Sequence, residues 1–368
     1  MLNRFNYSRF LSAILVSNIV LLISCLPQAV DVTITPNSGG TSENIVPIIT
    51  IVANGDAPLV PSSVPNGNGC FRPYTAASIW NVPIDWSRTR IHPKSDAMLA
   101  SFFQGESWIG SNTDSYAPNL YFVRDSTSLV PVTLRYRFQN VVDDIDIEYG
   151  IPGHITLIPL PPDAQPASGS DGQLVVVNLE SGEEWGLSKA RIDGQGLWAA
   201  DGGYRYSINF SGIPPKGFGQ RGAGIGHLAG LVRPCEVERG YIDHAVTLAY
   251  DYPCEPENCQ INGWPDVIRP FTKTDGLGLM PYDIPEGARI VIRPEVTRAE
   301  ITGVCSNVRG CIVWALAMQK YGGFIVDDSG HPKTYAEGSK TANWNSEIWF
   351  SDMLKNIPPE WYAVIDWN

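Results

Sequence analysis

Between Gln173 and Phe210 the chain is cut into short β-type runs by turn sequences, and this segment restricts the fold more than any other. Gln173 to Asn178 is a Leu/Val run closed by Glu180-Ser181-Gly182, after which Glu184 to Ile192 follows. Asp193-Gly194 then leads into Leu197 to Ala200, and Asp201-Gly202-Gly203 into Tyr204 to Phe210. Asp-Gly and Gly-Gly supply the positive φ that tight hairpins need, so the spacing predicts consecutive antiparallel hairpins. Val132, Leu134, Tyr136 and Phe138 alternate with Thr133, Arg135 and Arg137, the period of a strand with one buried face. Further strands are expected at Ala245 to Tyr250, Ala288 to Ile292, Phe324 to Asp327 and Trp361 to Ile365. Helical spacing is confined to Met98, Leu99, Phe102 and Phe103, to Cys311, Trp314, Ala315, Met318 and Tyr321, and to Ser346 to Leu354. The expectation is a mainly β fold, an antiparallel β-sandwich or jelly roll with a few short helices. The 35 Gly and 29 Pro among 368 residues exclude a coiled coil or a helical repeat.

The N-terminus reads as an address. Arg4 and Arg9 precede an apolar run from Phe10 to Ile23 that is too short to span a bilayer and has the shape of a secretory signal. Leu22-Ile23-Ser24-Cys25 resembles a bacterial lipobox, which implies a signal peptide over 1–24, a lipid on Cys25 and a place in the bacterial cell envelope, facing outside the cytoplasm. The lipid anchor is then the chain's single link to a membrane. Residues 25–69, rich in Pro, Ser, Thr, Asn and Gly, are expected to form a flexible tether with one short strand at Val46 to Val52, and 70–368 a single domain.

Cys70, Cys235, Cys254, Cys259, Cys305 and Cys311 form an even set in an exported chain, where disulfides persist. Short loops lie between Cys254 and Cys259 and between Cys305 and Cys311, which leaves Cys70 for Cys235 among fifteen connectivities. A metal site is not expected from them, since no C-x-x-C or His-Glu-x-x-His occurs.

A formal net charge of −12 leaves no electrostatic footprint for nucleic acid. The sharpest acidic constellation is Asp143-Asp144-Ile145-Asp146-Ile147-Glu148-Tyr149. On a strand, Asp144, Asp146 and Glu148 share one face. That face is a solvated edge, a calcium site, or a pair of carboxyls for glycoside hydrolysis. The heptad resembles the signature of the family 16 glycoside hydrolases, the laminarinases and lichenases. The likeness implies Asp144 as nucleophile, where the family has Glu, Asp146 as assisting carboxylate and Glu148 as acid/base. A wider pattern is similar to a group of secreted bacterial proteins: Ser78 to Pro83, Gly230 to Pro234 with Glu236, Gly240, Ile242 and His244-Ala245, Tyr321-Gly322, Asp327 to Gly330, and Trp344-Asn345. It implies one domain and supplies no mechanism.

His244, with Arg233 and Glu236 upstream, is a candidate for proton transfer. Together with Tyr204 and Tyr206, Arg233 and His244 offer the residue types of a polysaccharide lyase. Trp185, among 11 Trp, and Tyr204 are candidate sugar contacts. Gly222-Ala223-Gly224-Ile225-Gly226 lacks the Lys of a phosphate loop and is expected to be a surface loop, and Asp327 to Gly330 a strand-ending turn. The leading expectation is a surface-anchored lipoprotein that binds and hydrolyses an extracellular polysaccharide. No cofactor is expected beyond calcium on a carboxylate face. The rivals are a non-catalytic glycan- or protein-binding module and the lyase.

Overall fold

A computed structural model describes residues 30–34, 49–53, 70–142, 146–148, 153–216 and 218–367. The chain divides into two units, 1–60 and 61–368. In the first, β1 (Val30–Ile34) pairs antiparallel with β2 (Ile49–Ala53). The segment expected to be a tether with one strand near Val46 to Val52 therefore carries a two-stranded pairing.

The second unit is mainly β, with two mixed sheets and few short helices. One sheet runs β4 (Asn119–Val123), β8 (Leu174–Asn178), β9 (Glu183–Ser188), β11 (Trp198–Ser207), β5 (Leu129–Asn140), β6 (Asp146–Glu148). Two short strands join it, β7 (His154–Pro159) on β5 and β10 (Arg191–Ile192) on β11. Of the hairpins expected between 173 and 210, β8-β9-β11 form, all antiparallel, but the turn expected at Asp201-Gly202-Gly203 is absent, because these residues lie inside the continuous strand β11. The long-range partners are parallel, β4 with β8 and β5 with β11.

The second sheet runs β16 (Tyr362–Val364), β13 (Arg289–Ile292), β14 (Gly323–Asp328), β12 (Val246–Tyr250), β15 (Lys333–Tyr335), β3 (Gly110–Asn112). Helices α1 (Ser95–Phe102), α4 (Arg298–Val304) and α5 (Arg309–Lys320) pack against it around Met98, Trp314, Met318 and Leu248. Helices α2 (Pro234–Arg239) and α3 (Pro256–Ile261) are each a turn and a half. The helix expected over Ser346 to Leu354 is absent: Ile348 and Trp349 both donate to the Asn345 carbonyl, and the chain continues in turns.

β5 shows why alternation alone misplaces a side chain. Val132 and Leu134 are buried as expected, yet Tyr136 is exposed. Its partner β11 advances two residues, Ala200 to Gly202, while β5 advances three, Leu134 to Arg137. The extra residue is a bulge that inverts the facing of everything beyond it. Gln139 thereby turns inward and accepts a hydrogen bond from the Gly219 N–H at 3.0 Å.

Between the sheets lies a core of Tyr204 and Tyr206 from β11, Phe324 and Val326 from β14, and Phe218, Ala223 and Ile225 from the loop that follows β11. Cys70–Cys235, Cys254–Cys259 and Cys305–Cys311 are all at disulfide distance, with Cα separations of 5.6, 5.7 and 5.6 Å.

Candidate functional site

Asp144 lies outside the described residues, and Asp146 and Glu148 are described only as backbone of β6, paired with Asn140 and Phe138 at one end of the sheet.

The second expected cluster does assemble. Arg233, Glu236 and His244 meet at the start of α2, where the Arg233 N–H and the Nη2 group both donate to Glu236, at 3.0 and 3.3 Å. His244 Nδ1 donates to its neighbour's carbonyl, Ala245 O, at 2.8 Å, and Nε2 lies 2.9 Å from Glu236 Oε1. Burial alone would raise the Glu236 carboxyl, but the charges of His244 and Arg233 and their hydrogen bonds hold it at about 2. Burial opposes the His244 charge too, and the Glu236 carboxylate raises its pKa above the ordinary value. With Nδ1 donating to Ala245 O and Nε2 engaged by the Glu236 carboxylate, His244 has no free ring nitrogen turned toward a substrate. It closes an ion-pair cluster, and the arrangement gives no support to a lyase built on it. Trp185 and Tyr204 are buried, so neither ring offers a face to a sugar.

A different set of residues gathers around the loop at 219–227. The Gly222 to Gly226 segment is buried from end to end, which corrects the surface loop expected from its composition. The Ala223 N–H donates to Val326 O at 2.9 Å, and Ala223 and Ile225 insert into the inter-sheet core. The glycines are required because the backbone passes so close to polar groups. A Cβ at Gly222 would lie 2.2 Å from Asp275 Oδ1 and 2.3 Å from Glu286 Oε1, and one at Gly226 2.5 Å from Glu184 Oε1.

Two polar groups follow from this path. On one side, fully buried Glu184 of β9 accepts from Tyr74 at 3.1 Å, and Tyr204 accepts from the His227 N–H at 2.8 Å. Burial raises Glu184 to about 7, tempered by hydrogen bonds from Tyr74 and Tyr204. Burial, with help from Arg221, pushes His227 well below its ordinary value, so the ring is neutral.

On the other side, Asp275, Glu286 and Asp327 bring one carboxylate oxygen each within 4.8 Å of one another. Asp327, near the end of β14, is gripped by three donors: Arg221 Nη1 and the Tyr335 hydroxyl on Oδ2, and the Gly222 N–H on Oδ1, each at 3.1 Å. Arg221 is fully buried and stacks 3.7 Å above the Tyr335 ring. Burial raises the Asp327 carboxyl despite these donors. Glu286 is buried, accepts from the Asp275 N–H at 3.1 Å through Oε2, and leaves Oε1 without a hydrogen-bond partner among the described residues. Burial and then the charges of Asp275 and Asp327 push it well above the usual carboxylate range. Asp275 is the exposed member. Burial of its inner side and the Asp327 charge raise it to about 6, against the pull of Lys273.

This donor set is of the type that holds a hard cation such as calcium. Arg221 and Lys273 already bring two positive charges to it. Chemically it is an exposed carboxyl with a pKa of about 6, a second carboxyl clamped by a guanidinium, and a buried glutamic acid behind them that holds its proton more tightly than usual.

Sequence reading missed this group because its members stand at 221, 275, 286 and 327, well-separated parts of the chain that only the fold brings together. The available signal was the loop itself, three glycines at alternate positions within an apolar run, flanked by Arg221 and His227. Comparison of the chain with protein-family models, with curated proteins and with solved structures finds no match.

Proposed function

We propose that the chain is a lipid-anchored protein of the bacterial envelope whose domain binds and hydrolyses an extracellular polysaccharide, with Asp275 and Asp327 as the acting carboxyls. The observation that carries the reading is their spacing together with their unlike surroundings. Their oxygens lie no more than 4.8 Å apart, below the roughly 6.5 to 9.5 Å of inverting enzymes, which favours the close carboxyl pair of retaining glycoside hydrolysis. Asp275, protonated below about pH 6, gives its proton to the glycosidic oxygen. Asp327 is oriented by Arg221, Tyr335 and the Gly222 N–H, and attacks or stabilises the sugar cation as it forms. Glu286 acts through Asp275, accepting from its N–H and so fixing its backbone. The lipid anchor is supported by the lipobox-like Leu22 to Cys25.

The test is release of reducing ends from a panel of polysaccharides. Turnover is expected to require a protonated Asp275, so kcat/KM falls as pH rises through about 6. Asp275→Asn and Asp327→Asn should each cost about 100- to 10,000-fold. Retention on a glycan without any new reducing ends would replace hydrolysis by a binding module.

A further inference from the structure

A second feature adjoins the acidic group and speaks to what it receives. Directly after Asp275 the chain reads Gly276-Leu277-Gly278-Leu279-Met280. The glycines face inward: a Cβ at Gly276 would lie 2.5 Å from the Pro253 and Cys254 carbonyls, and one at Gly278 2.2 Å from the Tyr252 carbonyl. The residues between them must therefore point outward, and Leu277, Leu279 and Met280 are 62%, 72% and 55% exposed. The ridge is sewn in place. The Gly278 N–H donates to Pro253 O at 2.8 Å, and Asn258 Nδ2 of α3 donates to both Gly278 O and Met280 O. Beside it Tyr252, 54% exposed, holds its ring outward from a backbone at φ +63.

These side chains line a cleft of about 210 Å³ whose polar members include Asp251 and Asp283. Its lining adjoins the acidic group along the chain at two points. Leu277 stands two residues beyond Asp275, and the Tyr252 N–H donates to Asp328, next to Asp327, at 3.1 Å. An aromatic ring and aliphatic side chains facing acceptor carboxylates match a pyranose, which has apolar C–H faces and a rim of hydroxyl donors. Among the described residues no Lys, Arg or His lines the cleft. Asp251 and Asp283 would repel a carboxylated sugar.

We infer that this cleft is a subsite for an uncharged sugar unit, which makes the substrate class a neutral polysaccharide. The identity of the subsite rests on the hydrolytic reading only for its neighbour, since binding is measured apart from turnover. The experiment is native affinity electrophoresis of the full protein in gels cast with dextran, hydroxyethyl cellulose, xyloglucan or arabinogalactan, and in parallel with alginate, polygalacturonate or hyaluronan. Retardation by at least one neutral polymer and by none of the three polyuronates is expected. Tyr252→Ala and Leu279→Ser, both at exposed positions, should each raise the dissociation constant at least fivefold with the melting temperature unchanged. Retardation by a polyuronate, by no neutral polymer, or to the same extent in both variants overturns the inference. Absence of reducing ends from a retarding polymer would overturn the hydrolytic reading alone.

Discussion

Glu236 shows how a residue chosen for chemistry can turn out to be held for stability. Its carboxylate is fully buried beneath two cations, Arg233 and His244, with Arg239 3.7 Å away. Its folded pKa of about 2 lies below the ordinary 4.5, so its contribution is present above pH 4.5 and is lost as pH falls through about 2. His244 has the opposite sign. Its raised pKa contributes below the ordinary 6.5, and the contribution is lost as pH rises through the folded value. The cluster is therefore strongest between about pH 4.5 and 6.5. Glu236→Gln leaves two buried cations facing an amide and should cost about 3 kcal/mol in urea unfolding. The loss should be greatest inside that pH window, and a uniform loss from pH 3 to 8 would remove the ion-pair account. Arg233, Glu236 and His244 were legible in the sequence because they lie within one α2 neighbourhood. Whether they titrate or merely pair depends on burial, which the residues on either side of them do not disclose.

At the scale of elements, the loop at 219–227 threads its backbone between two sheets past Glu184, Tyr204, Asp275, Glu286 and Asp327. Its closure depends on glycine. Gly219 takes φ +103, and a Cβ there would meet the Gly224 backbone at 2.4 Å. Gly226 has ordinary backbone angles yet no room, since Glu184 and the Tyr204 hydroxyl are 2.5 and 2.8 Å from where a Cβ would stand. Gly226→Ala must displace a buried carboxyl or a buried phenol and should cost about 1 to 3 kcal/mol. Gly105→Ala, at a position open to solvent, is the control and should be close to neutral. Equal melting temperatures for the two variants would show that the Glu184 pocket yields freely. The strands themselves were readable from alternation and turn residues, since those are local properties. The inversion after Leu134 was not, because the extra residue β5 carries there is set by its register against β11, a partner distant in sequence.

At the scale of the whole molecule the question is what brings distant segments to one place. Residues 184, 221, 275, 286 and 327 come from well-separated parts of the chain, Glu184 and Asp327 from strands of the two sheets and the other three from loops between strands. The disulfides, by contrast, were narrowed by counting, because six cysteines with two short loops leave a single long pair. That pair, Cys70 with Cys235, spans 165 residues and ties the start of the domain to α2. Arg233 reinforces the same junction, bonding to the Phe71 carbonyl and stacking on the Phe71 ring at 4.6 Å. In the chain-entropy account, a closed loop of this length restricts the unfolded chain by about 5 kcal/mol, and loops of five or six residues by about 2 kcal/mol. Replacing both Cys70 and Cys235 by Ala should therefore lower stability by about 2 to 5 kcal/mol, more than replacing Cys254 with Cys259. Because Arg233 grips the residue next to Cys70, the loss from Arg233→Met and the loss from removing the disulfide should not add. A double-mutant cycle in guanidinium unfolding checks this, and additivity within about 0.5 kcal/mol would mean that the two clasps act on separate parts of the molecule.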